Sequence, residues 1–264
     1  MKNITKFGER NIMKKNGFTL AEVLITMGII GVVAALTAPA LIQDVSNAKI
    51  GPTLSKVKST LENANRAIMQ DANTVDLEAA VNSGARVGKQ DVADYNEYIN
   101  RLTEHIAGSQ NVSNDHNYYA NGVANFDGTV PEGGINFSQT ARLRMQNNII
   151  ISFTDPVGSG LDPNFSNLNS NFRGPLAVIY VDIDGDQSGQ NSAGFDIFSF
   201  VIDHNGGLIP CGSTAFAAYE NGTFNSNYHW AQNDPLFGCN ADYVGAGDGC
   251  AGSIFDNNLK VIYK

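Results

Sequence analysis

The sequence predicts an α+β fold, in which one long N-terminal helix packs on an antiparallel β-meander. Residues 18–42 form an apolar run with a single charge, and residues 54–68 continue with apolar side chains at three- and four-residue steps. Short apolar segments separated by turn residues follow in the second half of the chain. The 27 glycines among 264 residues also favour a body of turns and short strands over a bundle of long helices.

The apolar run of residues 18–42 is long enough to span a membrane. At about 1.5 Å per residue, a helix of this length crosses a hydrocarbon core of roughly 30 Å. The preceding residues 1–17 form a basic leader with a net charge of +4, which leaves −13 for the rest of a chain whose total is −9. This asymmetry predicts a cytoplasmic N-terminus and an exported body. The acidic body gives no electrostatic reason to expect nucleic-acid binding.

Beyond the apolar run, the helix is expected to continue as an amphipathic segment over residues 43–73. Pro39 and the pair Gly51-Pro52 are expected to interrupt or kink it, because proline removes a helical hydrogen bond. Lys56, Lys58 and other polar residues separate the apolar positions. The predicted buried stripe consists of Leu54, Val57, Leu61, Ala64 and Ile68.

Residues 74–264 are expected to form the exported globular body. Helix is predicted over residues 74–107 with a break near residues 82–84, and a polar loop is predicted over residues 108–140. A long helix followed by a run of strands is typical of the α+β class. The predicted strands are Asn148–Thr154, Pro175–Ile183, Phe195–Asp203, Gly207–Pro210 and Leu259–Tyr263.

The junction between the basic leader and the apolar run has three interpretations. An ordinary secretory signal peptide would be cut after Ala38-Pro39-Ala40, but the apolar stretch is longer than such peptides use. A plain membrane anchor explains the length but not the acidic Glu22. The third interpretation rests on residues 17–22, Gly-Phe-Thr-Leu-Ala-Glu. This segment resembles the cleavage and methylation signature of type IV pilins and type II secretion pseudopilins, with a basic leader, a Gly before the cut, a Phe after it and a Glu four residues later.

The resemblance implies how the chain is processed and where it acts. A membrane-embedded prepilin peptidase would cut between Gly17 and Phe18 and methylate the new amine of Phe18, and the apolar helix would stay attached. The family implies a pilin-like fold and a structural subunit of a type IV pilus-like or type II secretion pseudopilus filament. Other subunits and an inner-membrane assembly platform would be its partners. The subunit would span the cytoplasmic membrane once, then join a filament in the periplasm or at the cell surface.

Glu22 is a candidate assembly residue. An ionised carboxylate in the apolar zone costs on the order of 2.5–3.5 kcal/mol, so it marks a functional site whose partner must be named. The resemblance implies pairing with the cleaved amine of Phe18, in the same chain or a neighbouring subunit, which would set the register as a subunit enters the filament. The alternative is a solvated Glu22 at headgroup level.

A loop between two predicted strands carries oxygen ligands at alternate positions. It imitates the first half of a calcium loop, but Phe195 stands where a helix-flanked loop has its bidentate Glu, so an EF-hand is excluded. Several pseudopilins bind calcium near their sheet, so Ca²⁺ is the cation that the resemblance implies. One alternative is a polar hairpin in which these residues supply turn chemistry, and another is that Asp182 and Asp184 only cap the loop. The candidate ligands are Asp182, Asp184, Asp186, Ser188 and Asp196.

Three cysteines in the last quarter of the chain allow one disulfide in an exported domain. Cys211, Cys239 and Cys250 permit any pairing by sequence alone. Pilins often close a loop near the C-terminus with a disulfide, so the resemblance favours Cys239 with Cys250. Neither a C-x-x-C pair nor clustered histidines accompany them, so the sequence does not predict a zinc site.

Catalytic signatures are absent from the sequence. It contains no G-x-S-x-G, H-E-x-x-H, P-loop or dinucleotide fingerprint. The neighbours Asp203 and His204 resemble a catalytic dyad, but an exposed strand end is the expected setting. The sequence therefore predicts a structural subunit and not an enzyme. The alternative is an exported, calcium-stabilised binding or adhesin module with an ordinary signal peptide.

Overall fold

The computed structural model describes residues 18–81, 92–113, 123, 141–154, 176–185, 191–215, 239 and 249–262. The chain divides into two compact units, Met1–Ser46 and Asn47–Lys264. The described part combines an N-terminal apolar helix with an antiparallel sheet, so the predicted α+β class is confirmed.

Helix α1 spans Leu20–Asp71 and contains 52 residues. Its segment Leu20–Ala38 has a mean hydropathy of 2.2, and none of it is buried. By length and composition this segment is sufficient to cross a membrane. A helix that is apolar on every side is stable only when lipid or other helices cover it.

Helix α1 continues through Pro39, and the interruption expected at the second position, Gly51-Pro52, is wrong because the helix continues there as well. At the second position the buried Ile50 and Leu54 lie on either side of the pair, and their packing holds the backbone helical. Pro52 is exposed, so the hydrogen bond that its ring removes lies where water can replace it. Tertiary packing has overridden the local preference.

Position 51 requires glycine because another backbone segment lies close to it, and not because the helix breaks there. A Cβ atom at this position would lie 2.0 Å from the carbonyl oxygen of Leu259, well inside van der Waals contact. Leu259 belongs to the turn that follows the last described helix, where its N–H donates to the carbonyl of Ile254 at 2.8 Å. The chain near its C-terminal end therefore packs directly on α1.

The predicted stripe of α1 is confirmed. Leu54, Val57, Leu61, Ala64 and Ile68 are all buried in the main core.

The segment predicted as helix, residues 74–107, is called the helical insertion below; its described part contains two helices, and the predicted break near residues 82–84 lies outside the described residues. Helix α2 spans Leu77–Val81 and α3 spans Val92–His105. Tyr98 of α3 is fully buried, and its ring meets that of Phe153 edge to face at 5.6 Å. The insertion thus contributes to the main core.

Within the described residues, six strands form one antiparallel sheet in chain order. Ile179 pairs with both Phe153 and Phe200, and all three belong to the core that contains the α1 stripe. The opposite face holds a second buried cluster around Val178, Tyr180 and Val201. The strands are β1 Gln110–Asn111, β2 Ala141–Arg144, β3 Ile150–Thr154, β4 Ala177–Asp182, β5 Ile197–Ile202 and β6 Leu208–Pro210.

The two ends of the predicted sheet need correction. The short β1 lies in the segment predicted as loop, and β2 escaped prediction because Arg142 and Arg144 interrupt its apolar pattern. The strand predicted over Leu259–Tyr263 is wrong for residues 259–262, the part of it that the structure describes. These residues follow the end of a helix and pair with no described strand. That end belongs to helix α4, Cys250–Asp256, which the sequence did not predict. Tyr263 lies outside the described residues.

Gly51→Ala should destabilise the body by about 1–3 kcal/mol, because the added methyl overpacks the contact with Leu259. In an unhindered helix the same change stabilises by up to about 1 kcal/mol, so the sign is diagnostic. Urea unfolding of the detergent-solubilised protein measures the effect. Gly28→Ala is the matched control, since nothing lies within 4 Å of a Cβ built there. An unchanged or raised midpoint for Gly51→Ala would contradict the contact.

Candidate functional site

The first turn of α1 is closed by a reciprocal pair of hydrogen bonds between Thr19 and Glu22. The N–H of Thr19 donates to Oε2 of Glu22 at 2.8 Å, and the Thr19 hydroxyl donates to the same oxygen at 2.9 Å. The N–H of Glu22 donates back to Oγ1 of Thr19 at 3.2 Å. This is a capping box, which satisfies two backbone donors that a helix N-terminus leaves unpaired.

The capping box gives Glu22 a local role that the sequence analysis missed. The signal was present as T-x-x-E directly before an apolar run. Phe18 immediately precedes the capping Thr19 and is 88% exposed. The structure therefore places Phe18 and the Glu22 carboxylate at the same helix end. Gly17 lies outside the described residues.

The acidic turn after β4, residues 182–185, is the second candidate site. Asp182 is the last residue of β4 and is buried, and its Oδ1 accepts hydrogen bonds from the N–H groups of Gly185 at 2.7 Å and Asp184 at 3.2 Å. Gly185 has φ +66°, and a Cβ there would lie 2.3 Å from the carbonyl oxygen of Asn148. The turn is therefore closed tightly against the β2–β3 connection.

Burial raises the pKa of Asp182 from its ordinary value of 3.8 to about 7. Contact with the carboxyl of Asp184 contributes in the same direction, whereas the N–H of Gly185 opposes the shift. Two carboxyl groups thus share a poorly solvated position, where a cation would favour their ionised forms. Carboxylate oxygens are the ligands that hard cations such as Ca²⁺ prefer, so these two carboxyl groups are of the chemical type that this ion binds.

The remaining predicted ligands are only partly described. The N–H of Ile183 donates to the carbonyl of Asp196 at 2.9 Å, which brings the backbone of Asp196 beside the turn. Its carboxylate accepts a hydrogen bond from the N–H of Ser192 at 3.2 Å. The structure therefore brings Asp182 and Asp184 together and places Asp196 on the adjoining segment. Asp186 and Ser188 lie outside the described residues.

The structure joins Cys239 to Cys250 in a disulfide, which is the pairing that the resemblance favours. Cys211 is buried at the end of β6 and stands outside this bond. Its carbonyl accepts a hydrogen bond from the N–H of Gly252 at 2.7 Å. A Cβ at Gly252 would lie 2.0 Å from the nitrogen of Ser213, so glycine is required where α4 meets the end of β6.

Comparison with known proteins identifies the N-terminal segment. Residues 12–38 match a family model described as the prokaryotic N-terminal methylation motif. This motif is the type IV pilin and pseudopilin signature, and it covers both Phe18 and Glu22. No curated protein and no solved structure matches the chain.

Proposed function

We propose that this protein is a structural subunit of a type IV pilus-like or type II secretion pseudopilus filament, matured by a prepilin peptidase. The observation that carries the proposal is the methylation motif at residues 12–38, whose apolar part coincides with a helix of membrane-spanning length. The antiparallel sheet that follows is consistent with a pilin-like subunit. A structural role, rather than an enzymatic one, agrees with the motif.

Maturation divides the chain into parts with different roles. Residues 1–17 are removed by cleavage between Gly17 and Phe18, and Phe18 is methylated. Residues 18–42 hold the subunit in the cytoplasmic membrane with the N-terminus inside, and later form the filament core. Residues 43–73 continue that helix as an amphipathic segment, and residues 74–264 form the exported body.

Assembly transfers the apolar helix from lipid to neighbouring helices. Leu24, Ile30 and Leu36 are among the large apolar side chains that are more than half exposed in the isolated chain. Lipid covers such side chains as well as protein does, so apolar burial alone gives little preference for the filament. Close packing between helices and polar contacts made only between subunits then decide the equilibrium. Partner subunits and an inner-membrane assembly platform would supply the surroundings in which those contacts form.

Glu22 supplies such a contact. In the described helix its carboxylate accepts hydrogen bonds from Thr19 of the same chain. Cleavage creates a new amine on Phe18, and a cationic amine forms a stronger, charge-assisted hydrogen bond with a carboxylate than a neutral donor does. In the filament, the amine of a neighbouring subunit would pair with Glu22 and fix the register.

Processing is tested by expressing the chain with and without a prepilin peptidase. With the enzyme, N-terminal sequencing and intact mass should show a chain that starts at Phe18 and carries one added methyl group. Gly17→Glu should block cleavage, because it places a large charged side chain at the cut, whereas Gly8→Glu within the leader should be processed. A mature start at Leu41 would instead support a signal peptide and contradict the proposal.

Glu22→Gln separates the charge of this residue from its capping function. Glutamine can still accept the bond from the Thr19 N–H, so helix formation and cleavage should be retained. Loss of the charge should lower the yield of sheared filaments about tenfold, which corresponds to roughly 1.4 kcal/mol. Thr19→Val is the matched control, because it weakens the cap but leaves the charge. Filament loss in Thr19→Val alone would show that Glu22 acts only as a cap.

We propose in addition that Ca²⁺ binds at the acidic turn, with Asp182 and Asp184 as ligands and Asp186, Ser188 and Asp196 as candidates for completing the shell. The support is the pair of adjacent carboxyl groups beside a strand end and the raised pKa of Asp182. A bound cation would fix the connection between β4 and β5.

Saturating calcium should raise the melting temperature by about 5 °C or more at pH 8, and by less at pH 6. Without calcium, Asp182 keeps its proton up to about pH 7 in the folded chain but releases it near 3.8 when unfolded, so stability falls as the pH rises between these values. Calcium binds the ionised form and opposes that loss. Asp182→Asn should abolish the calcium effect.

Asp203→Asn is the matched control for calcium, because Asp203 also accepts backbone hydrogen bonds in a turn, from Asn205 at 2.9 Å and Gly207 at 2.7 Å. It should retain the full calcium effect. If the wild type melts at the same temperature in EDTA and in calcium at pH 8, the calcium proposal is wrong. The filament proposal does not depend on this result.

A further inference from the structure

We propose that Asp76, Glu78 and His204 form a binding site for a divalent transition-metal cation of the zinc class. Each residue offers one ligand atom, and the three atoms lie within 4.8 Å of one another. Nδ1 of His204 is 3.8 Å from Oδ1 of Asp76 and 3.5 Å from Oε2 of Glu78. This cluster is separate from the acidic turn after β4 and from the N-terminal motif.

The ligand types select the class of cation. One imidazole nitrogen with two carboxylate oxygens is a set that zinc and neighbouring transition metals accept, whereas calcium prefers oxygen ligands throughout. Bonds of 2.0–2.1 Å place ligand atoms about 3.3 Å apart around a tetrahedral zinc ion. The two distances from His204 Nδ1 exceed this spacing by at most 0.5 Å, and the two carboxylate oxygens lie within 4.8 Å of each other, so side-chain movements of about 1.5 Å or less would close the site around an ion.

Backbone pairing holds the two halves of the cluster together. The N–H of Leu77 donates to the carbonyl of His204 at 2.8 Å, and the Leu77 side chain is fully buried. Asp76 and Glu78 are its chain neighbours on either side. A main-chain hydrogen bond and an apolar anchor therefore place the backbone of the three ligands, and Oδ1 of Asp76 is oriented by a hydrogen bond that it accepts from the N–H of Ala79 at 3.1 Å.

The turn that carries His204 is fixed by a second set of contacts. The carbonyl of Gly206 accepts a hydrogen bond from Nδ2 of Asn65 at 2.9 Å, and Oε1 of Glu62 accepts one from the N–H of Leu208 at 3.0 Å. Both Asn65 and Glu62 belong to α1. A metal site binds its ion tightly when the protein has already positioned the ligands, and these two contacts hold the segment that follows His204.

The exposure of the cluster suits a metal that enters from solvent. The side chains of His204, Asp76 and Glu78 are 18%, 26% and 30% exposed. Two carboxylates in partly desolvated positions repel each other, and a cation between them would relieve that repulsion. The bound metal would tie the start of the helical insertion to the turn between β5 and β6.

The test is zinc binding by the full chain in detergent micelles, after metal removal with EDTA and exchange into chelator-free buffer. Isothermal titration with ZnCl₂ should show one site per chain that CaCl₂ does not occupy, and saturating zinc should raise the melting temperature by about 5 °C. His204→Gln and Glu78→Gln should each weaken zinc binding at least tenfold. Binding is measured on the folded variants, whose circular dichroism must match that of the wild type.

Two matched variants make the result specific. His105→Gln changes another half-buried histidine, and Asp182→Asn changes the acidic turn, so both should bind zinc as the wild type does. Absence of zinc binding, or wild-type affinity in both His204→Gln and Glu78→Gln, would overturn the proposal. Stability that responds to pH but not to zinc would also overturn it, since the cluster would then be an ion pair only.

Discussion

The arrangement of the body depends on one buried side-chain amide, that of Asn65 in α1. Its Nδ2 donates to the carbonyl of Gly206, and its Oδ1 accepts from the hydroxyl of Tyr98 at 2.6 Å. Burial raises the pKa of Tyr98 well above its ordinary value, so the hydroxyl stays a donor. Leaving a buried amide unpaired costs about 1–3 kcal/mol. The two hydrogen bonds of Asn65 therefore hold α3 and the β5–β6 turn on α1 as one unit. The turn closes only with glycine at 206, where a Cβ would lie 2.8 Å from Cβ of Asn65.

This polar contact lies within an apolar surface, and the combination explains why α1 has two different halves. Leu54, Leu61 and Ile68 are covered by the body, and Asn65 among them fixes which elements cover them. The segment Leu20–Ala38 has apolar side chains on every face and none of them buried. The apolar stripe of Leu54, Leu61 and Ile68 is thus covered by its own chain, whereas Leu20–Ala38 needs lipid or other protein chains to cover it.

Periodicity made most of the fold predictable. The α1 stripe, the insertion helices and β3 to β6 follow apolar patterns with the period of helix or strand. The strand β2 was missed because Arg142 is fully buried, and a buried arginine violates the usual pattern of strand composition. Helix α1 continues through Gly51-Pro52 because Ile50 and Leu54 pack in the core. The helix propensities of the residues themselves carry no information about that packing. The cluster at His204 joins segments far apart in the chain, so spacing gave no sign of it.

The contact between Gly51 and Leu259 bears on the order in which the body is completed. Leu259 follows Gly51 by 208 positions, so a growing chain presents Gly51 long before Leu259. The surface of α1 at Gly51 therefore stays uncovered until the segment between the two residues has been made. A chain released before that point lacks the Leu259 backbone on which Gly51 packs, and its core cluster around Ile50 lacks the Leu259 side chain. The body therefore reaches its full packing only when the last described helix and the turn after it are in place.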